Sequence, residues 1–421
     1  MKPTGKRALV PELRFPEFRD AGEWVSEFGD GLFDQITNKD HNSDLPVLAI
    51  TQEQGAIPRD LIGYHVSVTE KSIESYKIVE IGDFIISLRS FQGGIEYSNY
   101  KGICSPAYVV LRLKNEHSVD YFKHFLKTSR FIALLTKNLE GLRDGKMVSY
   151  KQFSELQLPT PSRKEQQKIA DCLSSLDELI SLEAQRLDAL KAHKKGMMQQ
   201  LFPGEGETVP RLRFPEFRDA GEWEEKEIGA VFTFRQGYQV PVEQQYPVSN
   251  SNRERFIRII DITQQNEPPR YIDTPQNANI LCKSDLFMVR YGTPGVVAYG
   301  YEGVLANNLF QLVFNNGQTH NPSFWYQQLK LKENEISGLS GSSSMPAISF
   351  KALNYVFVKF PSLPEQSRIA DCLSSLDGLI TAQTDRLAAL KTHKKGLMQQ
   401  LFPAMDREEI ARGDAEGAED R

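Results

Sequence analysis

Cysteine is scarce and scattered in this chain. Four residues, Cys104, Cys172, Cys282 and Cys372, stand far apart with no CxxC pair among them, so neither a zinc site nor a disulfide framework is indicated. Each is read as a small buried hydrophobe. No apolar run approaches the roughly 18 to 20 residues needed to cross a bilayer. MKPTGKRALV at the start carries no signal-peptide core. No membrane is expected, and a cytoplasmic location is the default. With 40% hydrophobic and 25% charged residues, the 421-residue chain can bury real cores and build more than one domain. A net charge of −5 argues weakly against a polyanionic partner, because Ala404 to Arg421 holds seven acidic and three basic residues and so carries most of it. The body is nearly neutral and free to collect its basic groups on one face.

Recognisable catalytic signatures are missing too. There is no GxxxxGK[ST] to cradle a phosphate and no glycine loop of the kind that holds a nucleoside cofactor after a strand. NPSF, Asn321 to Phe324, shares its first two residues with the Asn-Pro-Pro-aromatic site of adenine methyltransferases. It lacks the second proline, and Asn321 stands where a helix N-cap is expected. The seven histidines show no metal-ligand spacing. The chain is expected to bind and place other molecules and to bind no cofactor itself.

What is present is duplication. LRFPEFRDAGEW runs from Leu13 to Trp24 and returns unchanged from Leu212 to Trp223. A second pair of segments, Glu165 to Pro203 and Glu365 to Pro403, is identical at 28 of 39 positions. A period near 200 is far too long for a solenoid and marks a duplicated domain pair. Apolar residues in the second pair fall at Ile169, Leu173, Leu176, Ile180, Leu187, Leu190, Met197 and Leu201, with a matching set from Ile369 to Leu401. This is a coiled-coil seam. It is interrupted in matching slots by Glu183 and Lys194 and by Gln383 and Lys394, as expected if the two helices pair and must find one register. Pro161 and Ser162 precede the first helix, Leu363 and Pro364 precede the second, and Pro203 and Pro403 mark the stops. Each rod spans roughly 60 Å. A twofold relation between equivalent helices favours antiparallel packing.

Between the constant parts lie two segments of different sequence and common skeleton. Each has a buried strand after an acidic turn leading into a glycine loop, GDFIISLRSFQGG (Gly82 to Gly94) and SDLFMVRYGTPG (Ser284 to Gly295). Strand-like AYVVLRL and NLFQLVF follow, then a helical stretch, then a closing strand segment ending at Pro159 or Pro361. The loop before the closing run has changed completely, from GLRDGK (Gly141 to Lys146) to GSSSMP (Gly341 to Pro346). Divergent loops on a shared scaffold are where binding specificity is normally carried.

The fold class that follows is α+β: two mixed α/β domains separated by two long helices that form an antiparallel coiled coil, with pseudo-twofold repetition. The segments are 1–24, 25–161, 162–203, 204–223, 224–361, 362–403 and an acidic tail at 404–421 expected to be disordered.

Two variable segments alternating with two near-identical helices, each introduced by RFPEF…GEW and opened by EQ-x-x-IADCLSSLD, resemble the specificity subunit of type I restriction-modification systems, in the branch that carries these two signatures. The resemblance covers the chain to about Pro403. It implies that each variable segment is a target recognition domain reading one half of a bipartite, gapped site in double-stranded DNA. It also implies a non-catalytic chain that holds two adenine-methyltransferase subunits and, through them, motor-nuclease subunits, with S-adenosylmethionine, ATP and Mg on those partners. Side chains near the glycine loops that suit base edges or phosphates are Arg89, Gln92, Arg143 and Lys146 in the first domain. In the second they are Arg290, Tyr291, Asn307, Asn308 and Ser343. Lys194, Lys195, Lys394 and Lys395 on the rods are weaker candidates for the phosphate backbone. The alternative is a DNA-binding regulator or adaptor that uses the same clamp without a methyltransferase.

Overall fold

A computed structural model describes residues 8–41, 44–62, 73–114, 116–137, 148–264, 267–276, 279–315, 320–341 and 346–404. The chain divides into two units, Met1–Ala184 with Arg386–Arg421 and Gln185–Asp385. Each long helix therefore contributes one part to each unit.

Unit 1 is built on a four-stranded antiparallel sheet in the order Phe33–Ile36, Val109–Leu113, Phe84–Ile86, Glu96–Tyr97. Phe84, Ile85 and Ile86 are all buried, so the run is apolar without alternation because both faces of the sheet are covered. Phe33, Phe84 and Leu111 face Tyr121, Phe122 and Phe125 of the helix Val119–Phe125. Ile85 and Val110 face Leu48, Val79 and Cys104 of two small strand pairs on the other side. Each fully buried Phe contributes about 1.5–3 kcal/mol relative to an exposed one. A separate ribbon pairs Val25–Phe28 with Gln157–Thr160.

Unit 2 repeats this plan. Its sheet runs Phe232–Gln236, Leu309–Phe314, Leu286–Val289, Val297–Ala298, and its ribbon pairs Glu224–Glu227 with Phe357–Phe360. Phe324 and Trp325 cover one face. The other face carries a three-stranded sheet, Arg270–Asp273, Arg253–Ile257 and Val304–Leu305, where unit 1 has two separate pairs.

The long helices span Arg163–Leu201 and Leu363–Leu401, 39 residues each. In unit 1, Asp177 pairs with Lys394 and Glu183 with Arg386, at 2.5 and 2.8 Å. Numbers rise on one helix as they fall on the other, so the two segments run antiparallel. In unit 2, Lys194 pairs with Asp377 at 2.6 Å in the same sense. Three of the four polar interruptions in the seam thus form cross-helix ion pairs, and Gln383 is as buried as Glu183 in the matching slot. A paired charge in an apolar seam penalises shifted registers, since a one-turn slip leaves it without its partner.

Four expectations need correction. Cys104 is buried, but Cys172 and Cys372 are half-buried and Cys282 is exposed, because Cys282 sits in an acidic turn with its backbone N–H bonded to Asp285 rather than in a strand. The second long helix begins at Leu363, which places Pro364 in its first turn, where a missing N–H costs nothing. The closing segments are not wholly strand, since each holds a short helix first, Tyr150–Ser154 or Phe350–Asn354, the former opened by a Ser149–Gln152 capping box. The glycine loop of unit 1 folds as one helical turn, Ser90–Gly93, whereas the loop of unit 2 stays irregular.

Candidate nucleic-acid interface

In unit 1 the buried strand Phe84–Ile86 delivers the chain to an exposed corner at Leu88 and Arg89. The turn behind it is tightly held. Ser90 Oγ accepts from the Ser87 N–H at 2.9 Å, Gln52 Nε2 donates to the Arg89 carbonyl at 3.4 Å, and Lys127 Nζ donates to the Gly93 carbonyl at 3.1 Å. Gly94 closes it at φ +82°, where a Cβ would stand 2.2 Å from the Leu126 carbonyl oxygen. Only glycine fits there. Lys127 also pairs with the buried Glu96, whose carboxyl is pushed up by burial and eased back by the lysine. Arg89 and Gln92 both end up exposed on this turn. Arg143 and Lys146 lie outside the described residues.

Unit 2 gathers its candidates more closely. The Arg290 and Tyr291 N–H groups both donate to the Asn308 carbonyl, at 2.8 and 3.4 Å, which brings the end of one strand against the start of the next. The Arg290 guanidinium lies over the Phe350 ring, 4.3 Å from its centroid, and donates to the Ile348 carbonyl at 3.2 Å and to Gln236 Oε1 at 2.5 Å. Gln236 Nε2 in turn donates to the Asn307 carbonyl. Asn307 and Gln236 are exposed, Arg290, Tyr291 and Asn308 half-buried, and Asn308 Oδ1 has no hydrogen-bond partner. Ser343 lies outside the described residues. Reasoning on the sequence missed Gln236 and its neighbour Arg235; the signal was the strand end FRQG, whose Gly237 lets the backbone pass the Ala306 carbonyl closer than any Cβ allows.

Both clusters combine guanidinium and side-chain amide, the groups that form bidentate contacts with guanine and adenine edges. They differ in preparation. Arg290 is partly committed inside the protein and pre-set in direction, while Arg89 projects from a clamped turn.

The rod lysines are not equivalent. Lys194 and Lys394 are engaged in the cross-helix pairs, whereas Lys195 and Lys395 are exposed.

The repeated twelve residues prove to be a clasp. Arg14 donates Nε and Nη2 to the two oxygens of Glu165 at 2.7 and 2.8 Å, and Nη1 to the Gly22 carbonyl at 2.6 Å. Trp24 Nε1 donates to the same carboxylate at 3.2 Å. Arg213 repeats the fork on Glu365 at 2.7 Å twice and reaches the Gly221 carbonyl. Leu13 and Leu212 bond through their N–H to the carbonyls of Gln400 and Gln200. RFPEF and the opening Glu of each long helix are two halves of one lock, joined in unit 1 by Trp24 as well. The following glutamine ties in the variable segment: Gln166 Oε1 accepts from the Ser118 N–H at 2.8 Å, and Gln366 Oε1 from the Asn321 N–H at 3.2 Å. Asn321 caps its helix by accepting from the Phe324 N–H, so NPSF is a helix start.

Among the described residues no group of His, Cys, Asp or Glu is arranged to hold a metal ion, and no helix is long and apolar enough to cross a membrane.

Comparison with known proteins agrees with this layout. The family described as "Type I restriction modification DNA specificity domain" matches twice, over residues 29–192 and 220–392. A putative type I restriction enzyme MjaX specificity subunit of Methanocaldococcus jannaschii is 23% identical over 370 residues, covering 81% of this chain and 82% of that protein. The MjaVIII specificity subunit of the same organism is 25% identical over 358 residues, covering 80% and 81%. Among solved structures, the S subunit of a type I restriction-modification system from M. genitalium superposes with a TM-score of 0.58 at 18% identity, covering 94% of this chain and all of that one. A chain from a study of complex assembly in a type I restriction-modification system gives 0.52 at 17% identity, covering 94% and 97%.

Proposed function

The chain belongs to the type I restriction-modification DNA specificity family, and from that premise we propose that it is the non-catalytic reader of a type I complex, recognising a bipartite, gapped sequence in double-stranded DNA. Unit 1 reads one half-site through the turn bearing Arg89 and Gln92, with Arg143 and Lys146, from the divergent segment 141–146, as further candidates. Unit 2 reads the other through Arg290, Tyr291, Asn307, Asn308 and Gln236, with Ser343 on its own divergent loop. Two adenine-methyltransferase subunits dock on the chain, and motor-nuclease subunits attach through them. S-adenosylmethionine, ATP and Mg act on those partners. Cytoplasmic location follows from this role.

One observation supports the reading most: the same clasp, rod and four-stranded sheet occur in both units, while the side chains at the sheet corner differ between them. Identical frames with unlike tips suit two readers of unlike half-sites. Positioning contacts can be shared, but base contacts must follow the bases.

Methylome sequencing of a methylase-free host that expresses this chain with its modification subunit tests the proposal. Methylated adenines in one gapped motif, present only with this chain, are expected. A soluble complex that marks no gapped motif overturns it and favours a DNA-binding regulator. Adding one heptad to each long helix, at 184–185 and at 385–386, extends the rods by about 10 Å. That should lengthen the unread spacer by roughly three base pairs of about 3.4 Å each and leave the half-site bases unchanged.

A further inference from the structure

One aspartate in each unit belongs to two contacts at once. In unit 1, Asp177 of the first long helix accepts from Lys394 of the second at 2.5 Å through Oδ1, while its Oδ2 lies 3.8 Å from Nδ1 of His124. His124 sits on the helix Val119–Phe125 of the recognition domain, is 4% exposed, and places Nε2 3.2 Å from Ser174 Oγ. In unit 2, Asp377 accepts from Lys194 at 2.6 Å through Oδ1 and from Gln327 Nε2 at 2.9 Å through Oδ2. Gln327 sits on the helix Pro322–Leu331 and is 1% exposed.

The two slots correspond. His124 lies six residues after Ser118 and Gln327 six after Asn321, and Ser118 and Asn321 are the residues tied by their N–H groups to Gln166 and Gln366. Each of these helices is thus fixed to the rod at more than one place, in unit 1 by Ser118 to Gln166 and His124 to Ser174 and in unit 2 by Asn321 to Gln366, Ser323 to Ser374 and Gln327 to Asp377. Two or more places define an angle where one defines only a pivot. Near the far end of the helix, the rod residue that registers the two rods also meets the recognition domain, by a hydrogen bond from Gln327 to Asp377 in unit 2 and, in unit 1, by a 3.8 Å approach of His124 Nδ1 to Asp177 beside the Ser174 hydrogen bond. The chemistry of the incoming group is not shared: a neutral imidazole in unit 1, an amide in unit 2. What is shared is a neutral polar group against a carboxylate already balanced by lysine. A charged group would have to face that lysine.

We propose that Asp177 and Asp377 are positioning residues that couple the pairing of the long helices to the orientation of each recognition domain, through His124 and Gln327. The functional consequence rests on the reading that each unit addresses one half-site. Orientation relative to the rod then decides which spacer lengths let both half-sites be engaged together, and the base contacts lie elsewhere.

The test uses Asp177→Ala and Asp377→Ala in the full chain with its modification subunit. Both side chains keep more than two fifths of their surface exposed, 45% and 42%, so both variants should fold. Methylome sequencing should show unchanged half-site bases with a broadened spacer, motifs one base pair longer or shorter than the parent becoming marked. Weaker marking of a single unchanged spacer would mean that the aspartates only stabilise, and overturns the proposal. His124→Gln, which copies the group used in unit 2, should keep the single spacer, while His124→Ala should broaden it; equal behaviour of the two also overturns it. Hydrogen exchange supplies a readout independent of DNA. Asp177→Ala should speed exchange about tenfold in 119–125 and leave 322–331 unchanged, with the reverse for Asp377→Ala. Unaltered exchange in both helices overturns the coupling even if no gapped motif exists, whereas altered exchange without a gapped motif leaves the coupling standing and removes the half-site reading.

Discussion

Unit 1 and unit 2 agree where they touch the long helices and part company with distance from them. The fork from Arg14 to Glu165 and the fork from Arg213 to Glu365 match within about 0.1 Å in their Nε and Nη2 contacts. The four-stranded sheets share strand order. Beyond the sheets, unit 1 has two strand pairs where unit 2 has one three-stranded sheet, and unit 1 has an exposed arginine on a helical turn where unit 2 has an arginine laid on Phe350. The difference teaches which contacts tolerate change. A buried ion pair tolerates none, since losing one partner strands the other charge. A covered sheet face tolerates any apolar set of the right volume. An exposed corner tolerates nearly everything, and function is free to choose its residues.

The largest effect should come from breaking the clasp. Arg14→Ala leaves Glu165 buried without its cation, at a cost of about 3–5 kcal/mol. Arg213→Ala should cost more by about 1 kcal/mol, because Trp24 still donates to Glu165 whereas Trp223 Nε1 has no partner and gives Glu365 no such support. Unit-resolved hydrogen exchange against urea reads both, and a reversed ranking would show that the two clasps differ in some way their matching geometry hides.

Gly94→Ala should follow at about 1–3 kcal/mol, because φ is +82° and the Leu126 carbonyl is in the way. Gly295→Ala should be milder despite φ +95°, as its nearest neighbours stand at 3.1 Å or more. Thermal melts of the pair would show it, and equal losses would mean that backbone strain alone decides.

Arg290→Ala and Arg89→Ala should each relax discrimination at one base position, about 10- to 100-fold, at opposite half-sites. Competition binding of the complex to half-site variants measures this. An effect of either substitution on both half-sites would sink the assignment of one unit to one half-site.

A further difference concerns acid. Burial first, and Lys394 next, lower the His124 imidazole to about 4, against the opposing pull of Asp177. Because the folded value lies below the ordinary 6.5, protons bind the unfolded chain first as pH falls. Unit 1 should therefore lose stability from pH 6.5 down to about 4 through this residue, with no further loss below. His124→Gln should flatten that part of the slope in unit 1, with the parent chain as the control, since unit 2 has Gln327 in this slot but carries its own burial-lowered His320. Lys123, on the same helix, adds a minor push in the same direction as Lys394.

Much of this was legible in the residues. The heptad seam and its polar interruptions at Glu183, Lys194 and Lys394 announced paired helices, because periodicity is local and the seam repeats many times. Asn321 was recognisable as a cap for the same reason. The pattern of strand and turn points to the glycine-loop residues Arg290, Tyr291, Asn307 and Asn308, and the fold gathers them. Gln236 was missed, since it joins them only through strand pairing 54 or more residues away. The cysteines were misjudged where a turn, not a strand, holds Cys282.

By itself the sequence determined the duplication, the rods, the strand-bearing segments between them and the family they belong to, all of which depend on composition and short-range period. Tertiary structure alone decided that Arg14 locks to a glutamate 151 positions away, that rod lysines pair with rod aspartates, and that one of those aspartates, Asp377, also accepts from Gln327. Charges and amides carry no label of their partner in the linear chain. Which of them meet is settled only when the apolar faces pack and leave each polar group one place where its hydrogen bonds can be restored.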